Sequence, residues 1–381
     1  MPISALSISA LRTPVPEPSQ RAADRVAALA AARAERLDAE SAAPDREIAA
    51  LAEAGLLTAP FAPARGGAGL ASGEAAAREL SRCLAALGRA SLPLGRLYEG
   101  HVNAVRLVEA YGSAAQKSRM ADEARRGALF GVWAADDIPA HLALLRDGAG
   151  WRLEGRKIYC SGASLIRRPL LTAKDEEGRV RIVAPSLPAD HPADLSVWTA
   201  QGMRASLTGT VDFTGLRIRE DEVVGELDAY HREPDFSGGA WRFLAVQLGG
   251  MEGLFEELAR HLTATGRNAD PHQGARLGEA AAAVETARLW VAEAADRVER
   301  RRDDPAAAVA YVNLARGAVE RAALDLLEKV QRSVGLQAFL RPSPIERIGR
   351  DLATYLRQPG PDRAKANAAA WFAAHPAALW T

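Results

Sequence analysis

Histidine and cysteine are the residue types of this chain that most readily transfer protons, bind metals or act as nucleophiles. The 381 residues include seven histidines and two cysteines. Cys83 and Cys160 are far apart in the sequence, so we expect neither a disulfide framework nor a cysteine-rich metal site. His261 and His272 are the closest pair among the other histidines, and no ligand motif completes a metal site around them. His101, on a predicted helix, is the candidate for proton transfer near neutral pH.

The overall composition excludes several classes of function. Lys plus Arg and Asp plus Glu both number 48, and this zero net charge argues against an electrostatic mode of nucleic-acid binding. The sequence has no Gly-x-Gly-x-x-Gly fingerprint, Gly-x-Ser-x-Gly elbow or phosphate-binding loop. It also lacks an uninterrupted apolar run of about 18 residues, so we expect no membrane span. With no secretory signal and few cysteines, we expect a cytoplasmic protein.

Apolar residues recur at helical spacing on both sides of a central β-rich region. Before this region, the pattern predicts helices over 21–40, 46–54, 72–87, 94–111 and 113–126. Within it, we predict strands over 129–134, 151–162 (two strands meeting near Gly155), 170–173, 180–185 and 195–199, with a hairpin turn at 175–178. After it, helices are predicted over 241–265, 277–302, 306–334 and 345–356, followed by a helical tail.

These elements predict an α+β multi-domain architecture. We expect a flexible leader over 1–18, an N-terminal helical domain over 19–127 and a middle antiparallel β-domain over 128–236. A C-terminal helical domain over 237–381 would form a four-helix bundle.

The stretch from Gly202 to Gly225 lies between the two helical regions. It reads Gly-x-Arg-x-Ser-x-Thr, then a Val-x-Phe strand, a second short strand and Val-Val-Gly. This order resembles the middle β-domain of acyl-CoA dehydrogenases. Further segments similar to that family follow the family's order: 112–117, 151–161, 277–288, 331–335 and 346–351. The resemblance covers about 20–362 and implies the acyl-CoA dehydrogenase fold.

The resemblance also implies FAD and a set of residues around it. Trp133, Ala134, Tyr159 and Ser161 fall where the family's middle domain lines the flavin. Other family positions approach the flavin from a neighbouring subunit, at Arg260, Gln331 and Gly335, with Arg267 as a rival for the arginine. The resemblance therefore implies a homodimer or homotetramer, an acyl thioester or other small-molecule substrate, and an electron acceptor.

The glutamate that usually acts as base in this family is absent from both of its usual places. Dehydrogenation of an acyl thioester needs a base to remove the proton next to the carbonyl while the flavin takes the hydride. By spacing, the first place holds Pro359, and the second, at the start of the first C-terminal helix, holds Trp241 and Arg242. Asp136 or Asp362 could substitute, although neither follows a family pattern.

Three functions remain open at this point. The first is FAD-dependent oxidation of an acyl thioester with an unidentified base. The second is flavin-dependent oxygenation, because monooxygenases built on this fold also lack the glutamate and receive reduced flavin from a separate reductase. Some of them carry a histidine on a helix before the β-domain, which His101 and its neighbours resemble. The third is a non-catalytic member of the family.

Overall fold

Three consecutive blocks of helices, strands and helices make up the chain. A computed structural model describes residues 19–379; the predicted leader lies outside the described residues. The first block contains helices α1 Ser19–Ala31, α2 Ala34–Glu40, α3 Asp45–Glu53, α4 Glu74–Ala90, α5 Leu92–Tyr111 and α6 Ala114–Arg125. The last block contains α7 Trp241–Ala264, α8 Pro271–Arg300, α9 Pro305–Val334, α10 Pro344–Tyr355 and α11 Pro361–Ala374.

Short strands form the middle block, as predicted. They are β1 Phe130–Trp133, β2 Ala143–Asp147, β3 Gly150–Glu154, β4 Arg156–Cys160, β5 Arg168–Lys174, β6 Val180–Val183, β7 Ala193–Asp194, β8 Gly209–Asp212, β9 Arg217–Ile218 and β10 Val223–Val224. One sheet of seven strands has the order β10-β6-β5-β2-β3-β9 with β1 also on β5, and a second sheet has the order β4-β8-β7.

Most strand pairs are antiparallel, but β5 pairs in parallel with both β1 and β2. A parallel pair needs a long connection, and the 34 residues between Trp133 and Arg168 supply one for β1 and β5. The strands β3 and β4 meet at Gly155 as predicted, and Gly155 takes a φ of +114°. Because they then enter different sheets, this glycine forms a corner between sheets rather than a hairpin.

Several predicted boundaries differ from the structure. The predicted helix over 21–40 is interrupted at 32–33 and becomes α1 and α2. Residues 195–199 form no strand, whereas the unpredicted β2 lies in a region that has little alternation of polar and apolar residues. Helix α8 begins at Pro271, before the predicted 277, because the Asp270 carboxylate accepts hydrogen bonds from the free backbone N–H groups of His272 (2.8 Å) and Gln273 (3.1 Å).

Two glycines bring the first and last helical blocks into close contact. A Cβ atom on Gly249 of α7 would lie 2.0 Å from the carbonyl oxygen of Ala85 in α4. A Cβ atom on Gly88 of α4 would lie 2.3 Å from the carbonyl oxygen of Val246. Any larger residue would push the helices apart, so α4 and α7 cross with their backbones in contact. The helical blocks therefore share one core, which also receives side chains from the sheets.

The segment 112–117 fixes α6 to the middle block. Ser113 and Gln116 form a capping box, in which the Ser113 hydroxyl accepts from the Gln116 backbone N–H (3.2 Å) and the Gln116 side chain accepts from the Ser113 N–H (2.8 Å). The Gln116 amide then donates to the carbonyl oxygens of Asp221 (3.0 Å) and Val223 (2.7 Å). The motif thus both starts the helix and attaches it to the sheet.

Two of the segments that resemble the family, 202–208 and 346–351, meet in space. A Cβ atom on Gly202 would lie 2.5 Å from the carbonyl oxygen of Arg350. The Met203 backbone N–H donates to the Asp351 carboxylate at 2.6 Å, and Met203 has a φ of +60°. Burial raises the pKa of Asp351 to about 6. Helix α10 therefore holds the irregular backbone that leads into β8.

Cys83 and Cys160 are both free and buried, and burial raises the pKa of each thiol to about 12. Within the described range, no helix is both long and apolar enough to cross a membrane. The same residues contain no group of His, Cys, Asp or Glu side chains arranged to hold a metal ion.

Candidate active site

A cavity of about 340 Å³ lies between α5, α7, α9 and α11. This size is at the lower end of the range of roughly 300–1,000 Å³ that is typical of small-molecule sites. Arginines from all four helices line it, and they are Arg96, Arg106, Arg242, Arg316 and Arg363. The carboxylates that line it are Glu99 and Asp235. The cavity is therefore rich in cations although the whole chain is neutral.

Helix α5 presents a polar stripe to this cavity. Arg96, Glu99, Asn103 and Arg106 are spaced by three, four and three residues, which places them on one face of a helix. Glu99 is 2% exposed and accepts hydrogen bonds from both Arg96 and Asn103. Asn103 also accepts from the Arg242 guanidinium at 2.5 Å. The stripe therefore connects α5 to α7 through charged and amide groups.

A row of hydrogen bonds joins this cavity to the β-block. The Arg96 guanidinium donates to the Ser161 hydroxyl at 3.3 Å, and the Thr208 hydroxyl lies 3.3 Å from the same oxygen. Thr208 also shares a 2.8 Å hydrogen bond with Ser206, whose only proton goes to the Met203 carbonyl oxygen at 2.7 Å. Thr208 must therefore donate to Ser206, which leaves the Ser161 proton to bond Thr208 or a ligand.

Trp133 positions Ser161 from behind. The Trp133 indole N–H donates to the Ser161 carbonyl oxygen at 3.0 Å, and Trp133 is 2% exposed. Trp133 therefore supports the strand end that carries Ser161, and its contact with a ligand stays a prediction. Ala134 is partly exposed, and its carbonyl oxygen accepts from Lys157 and Thr172, both at 3.3 Å.

An irregularity in β4 exposes the Tyr159 side chain to solvent. The pairing of β4 with β8 shifts between Lys157 and Cys160, and Tyr159 has a φ of +55°. A tyrosine rarely takes this backbone conformation, so the surrounding structure must stabilise it at this position. Tyr159 is 65% exposed, with Trp198 edge-on to it at 6.5 Å between ring centroids.

His101 is a core residue rather than a proton-transfer group. Its side chain is fully buried, its Nε2–H donates to the Leu57 carbonyl oxygen at 2.8 Å, and its Nδ1 accepts from the Phe130 backbone N–H at 3.1 Å. Burial lowers its pKa to about 4, and the ring stacks on Phe130. Both ring nitrogens are occupied, so the catalytic interpretation of His101 is replaced by a structural one.

With this geometry established, similarity to known proteins identifies the family. Residues 18–128 match the acyl-CoA dehydrogenase N-terminal domain, and residues 245–357 match the acyl-CoA dehydrogenase C-terminal domain. The chain belongs to the acyl-CoA dehydrogenase family. Butyryl-CoA dehydrogenase from Megasphaera elsdenii has the same fold, with a TM-score of 0.81 and 14% identity over 93% of this chain and 96% of that one.

Other similar proteins of this fold are described as monooxygenases. FMN-bound TdsC from Paenibacillus sp. A11-2 matches with a TM-score of 0.84 and 22% identity over 94% of this chain and 98% of that one. Dibenzothiophene monooxygenase of Mycolicibacterium goodii is 28% identical over 36% of this chain and 35% of the relative. The probable FMNH2-dependent monooxygenase SfnC of Pseudomonas putida is 24% identical over 54% and 58%. The chain thus spans about a third to just over half of the length of these curated relatives.

The cavity contains both positions at which acyl-CoA dehydrogenases carry their base. Pro359 and Arg242, the residues found there, both line it. The suggested substitutes lie elsewhere, since Asp136 accepts a 2.5 Å hydrogen bond from Lys157 and Asp362 is exposed outside the lining. Glu99 is the buried carboxylate of the cavity, and it is ion-paired with Arg96.

The residues around Ser161 fit a flavin. A planar ring system needs an apolar face and hydrogen-bond donors, and its phosphate needs a cation. Tyr159 offers an exposed ring and Ser161 a hydroxyl group. Trp198, Thr208 and Arg204 line an adjoining groove, and Arg204 has no carboxylate partner in the described range, since it donates only to the Ser41 hydroxyl and the Ala39 carbonyl oxygen.

The remaining predicted flavin residues lie on other surfaces of the same chain. Arg260 is exposed and ion-paired with Glu257, and Arg267 is also exposed. Gln331 and Gly335 are exposed near the end of α9. The structure does not bring these residues together with Ser161, which is consistent with the prediction that they serve a neighbouring subunit.

Sequence reasoning missed the polar stripe and the arginines opposite it. A signal for the stripe was present, because four polar residues at helical spacing lie on one face of a helix whose other buried residues are mostly apolar. No comparable signal marks Arg316 and Arg363, since they are distant in sequence and meet only through the packing of α9 and α11.

Proposed function

We propose that this protein is a flavin-dependent monooxygenase built on the acyl-CoA dehydrogenase fold. It would use reduced FMN delivered by a separate reductase in the cytoplasm and oxygenate a small molecule in the cavity between α5 and α7. FMN replaces the expected FAD in this proposal because similar structures are described as FMN-bound. The substrate and the partner reductase are likewise part of the proposal.

One observation carries the proposal: the cavity offers no free carboxylate where dehydrogenation needs one. Pro359 and Arg242 occupy the two base positions, and Glu99 is held by Arg96. A dehydrogenase without a base cannot remove the substrate proton. Oxygenation by reduced flavin needs no such base, because the flavin and dioxygen supply the chemistry and the protein binds, orients and excludes water.

The chain's own residues divide these tasks. Tyr159 and Ser161 would contact the flavin ring, with Ser161 donating its hydroxyl proton to the ring and Trp133 and Ala134 supporting the strand behind it. The Arg96 guanidinium holds the Ser161 hydroxyl on one side and the Glu99 carboxylate on the other. Reduced FMN held by these residues would supply the two electrons needed for one atom of dioxygen to enter the substrate and the other to leave as water.

Arg260, Gln331 and Gly335 would contribute from the neighbouring subunit of a homodimer or homotetramer. Val334, which is buried, stands where the family's segment has the first glycine of a Gly-Gly pair, so a close backbone approach to the adenosine half of FAD is less favoured. This substitution favours a flavin without adenosine.

The experiment that tests the proposal compares two reactions of the purified full-length chain. Reduced FMN from a flavin reductase, supplied with oxygen and candidate substrates, should yield an oxygenated product. Anaerobic addition of acyl-CoAs to flavin-loaded protein should leave the flavin oxidised. Bleaching by an acyl-CoA without oxygen would instead establish the dehydrogenase, and failure to bind any flavin would favour the non-catalytic alternative. The matched variant is Ser161→Ala, which removes the hydroxyl group and should weaken FMN binding.

A further inference from the structure

Three arginines of the cavity have no carboxylate partner among residues 19–379. Arg242 on α7 donates to an amide oxygen, and Arg316 on α9 donates to the Pro359 carbonyl oxygen at 2.6 Å. Arg363 on α11 makes no ion pair with a described residue, although it lies close to Arg316. Three cations from three helices therefore line one partly open cavity, and Arg363 is exposed.

The carboxylates of the same cavity are already neutralised. Asp235 pairs with Arg106 at 2.9 Å and with Arg302 at 3.2 Å, and Glu99 pairs with Arg96. Burial works against the ionised form of Asp235, but these arginines outweigh it and lower its pKa. Neither carboxylate is free to compensate the three unpaired arginines.

Arg242 is the most deeply buried of the three arginines. It is 5% exposed, and burial together with the nearby charge of Arg106 lowers its pKa to about 10. Glu99, Glu299 and Asp235 lie near enough to favour its charged form, but none forms a direct ion pair with it, and buried cations are normally paired. Gly239 provides the room for it, because a Cβ atom there would lie 2.3 Å from the Arg242 Nη2 atom.

Apolar groups line other parts of the cavity. They include Leu107, Val132, Phe236 and Phe243. Val132 belongs to β1 beside Trp133, and Arg96 reaches Ser161, so this part of the lining adjoins the flavin-facing residues. Arg316, Pro359 and Arg363 come from α9 and α11 instead.

We propose that the cavity binds a small substrate that carries an oxyanion, such as a carboxylate or a sulfur oxyacid. Arg242, Arg316 and Arg363 hold the oxyanion, and the remainder of the molecule extends along the apolar residues toward Ser161. Guanidinium groups bind planar and tetrahedral oxyanions through charge-assisted, often bidentate hydrogen bonds. The inference rests on the proposed function for treating the cavity as the substrate site.

Calorimetric titration of the purified full-length chain tests this site directly, with and without saturating oxidised FMN. The probes are benzoate against neutral benzamide, and methanesulfonate against neutral dimethyl sulfone, at constant ionic strength. At least one anion should bind at least about tenfold more tightly than its neutral partner. Arg316→Gln and Arg363→Gln should each weaken that binding about tenfold. Arg321→Gln, on the same helix α9 but paired with Asp325, is the matched control and should leave it unchanged.

Each of the other possible outcomes would contradict either the anion site or the proposed monooxygenase. Equal binding of anions and neutral partners, no binding of either, or loss of binding in Arg321→Gln as well would overturn the anion site. Stoichiometric displacement of the bound anion by FMN would assign the arginines to the flavin phosphate and also overturn it. Anion binding that persists in a chain unable to bind flavin would sink the proposed monooxygenase but not the site, whereas FMN binding without anion binding would do the reverse.

Discussion

The Arg316 guanidinium donates a 2.6 Å hydrogen bond to the carbonyl oxygen of Pro359, the residue at the family's usual base position. An acidic side chain introduced there would meet Arg316 and Arg363 before it met a substrate. We therefore expect Pro359→Glu to create no acyl-CoA dehydrogenase activity. It should weaken benzoate binding about tenfold through its internal negative charge. Titration of Pro359→Glu beside Pro359→Ala measures this, and acyl-CoA bleaching of the flavin in Pro359→Glu would contradict it.

Glu99 opposes anion binding while stabilising the fold. Its replacement by Gln removes a negative charge from the cavity, so benzoate should bind several-fold more tightly. The same change leaves Arg96 without its carboxylate, which should lower the free energy of unfolding by about 1–3 kcal/mol. Glu109→Gln, on the same helix but paired with Arg65 outside the cavity, controls for charge alone. Weaker benzoate binding in Glu99→Gln would mean that Glu99 takes part in ligand recognition.

His101 should matter for stability and not for turnover. Its pKa of about 4 in the folded state lies below the ordinary value near 6.5, so its stabilising contribution is complete above pH 6.5 and is lost as pH falls toward 4. His101→Gln should lower the free energy of unfolding by roughly 1–3 kcal/mol at pH 7.5. The loss relative to the native chain should shrink toward pH 4. Denaturant unfolding at both pH values measures it, and lost turnover at unchanged stability would restore the catalytic interpretation.

Asp351 should show the opposite dependence on pH. Its folded-state pKa of about 6 lies above the ordinary value near 4, so the folded chain holds the extra proton between these values. Stability from this group is therefore present below pH 4 and lost as pH rises through 6, by up to roughly 3 kcal/mol. Asp351→Asn keeps an acceptor for the Met203 N–H and cannot ionise.

The unfolding free energy of Asp351→Asn minus that of the native chain should therefore rise between pH 4 and pH 7. Asp325→Asn, at a half-exposed position, is the control and should show no such trend. A difference that stays constant across this range would contradict the buried, protonated Asp351.

The end of α9 should form part of a subunit interface. Leu336, Phe339 and Leu340 are 74%, 58% and 51% exposed and follow Gly335 directly. Large exposed apolar side chains grouped in this way are typical of protein contacts. Phe339→Asp together with Leu336→Asp should shift the chain from dimer or tetramer toward monomer in analytical ultracentrifugation. A monomeric native chain would exclude this interface and the cross-subunit role of Gln331.

The sequence predicted the fold well because the spacing of apolar residues differs between helices and strands. The break between helical and alternating patterns located the β-block, and the Ser113–Gln116 motif marked a real capping box. The site was harder. His101 was chosen because it resembles a helix histidine of monooxygenases on this fold, but burial and two hydrogen bonds occupy its ring. The shifted pairing that exposes Tyr159 has no pattern in the sequence. Arg242, Arg316 and Arg363 become neighbours only through the packing of three distant helices.

Helix α5 packs into the core with one face and lines the cavity with another. One face carries His101 and its apolar neighbours into the core, and the opposite face carries Arg96, Glu99 and Asn103 to the cavity. Substitutions on the cavity face can change which molecules are accepted without repacking the interior. The fold can therefore be retuned toward new substrates by a few replacements along one helix, which makes α5 the natural starting point for directed evolution of this protein.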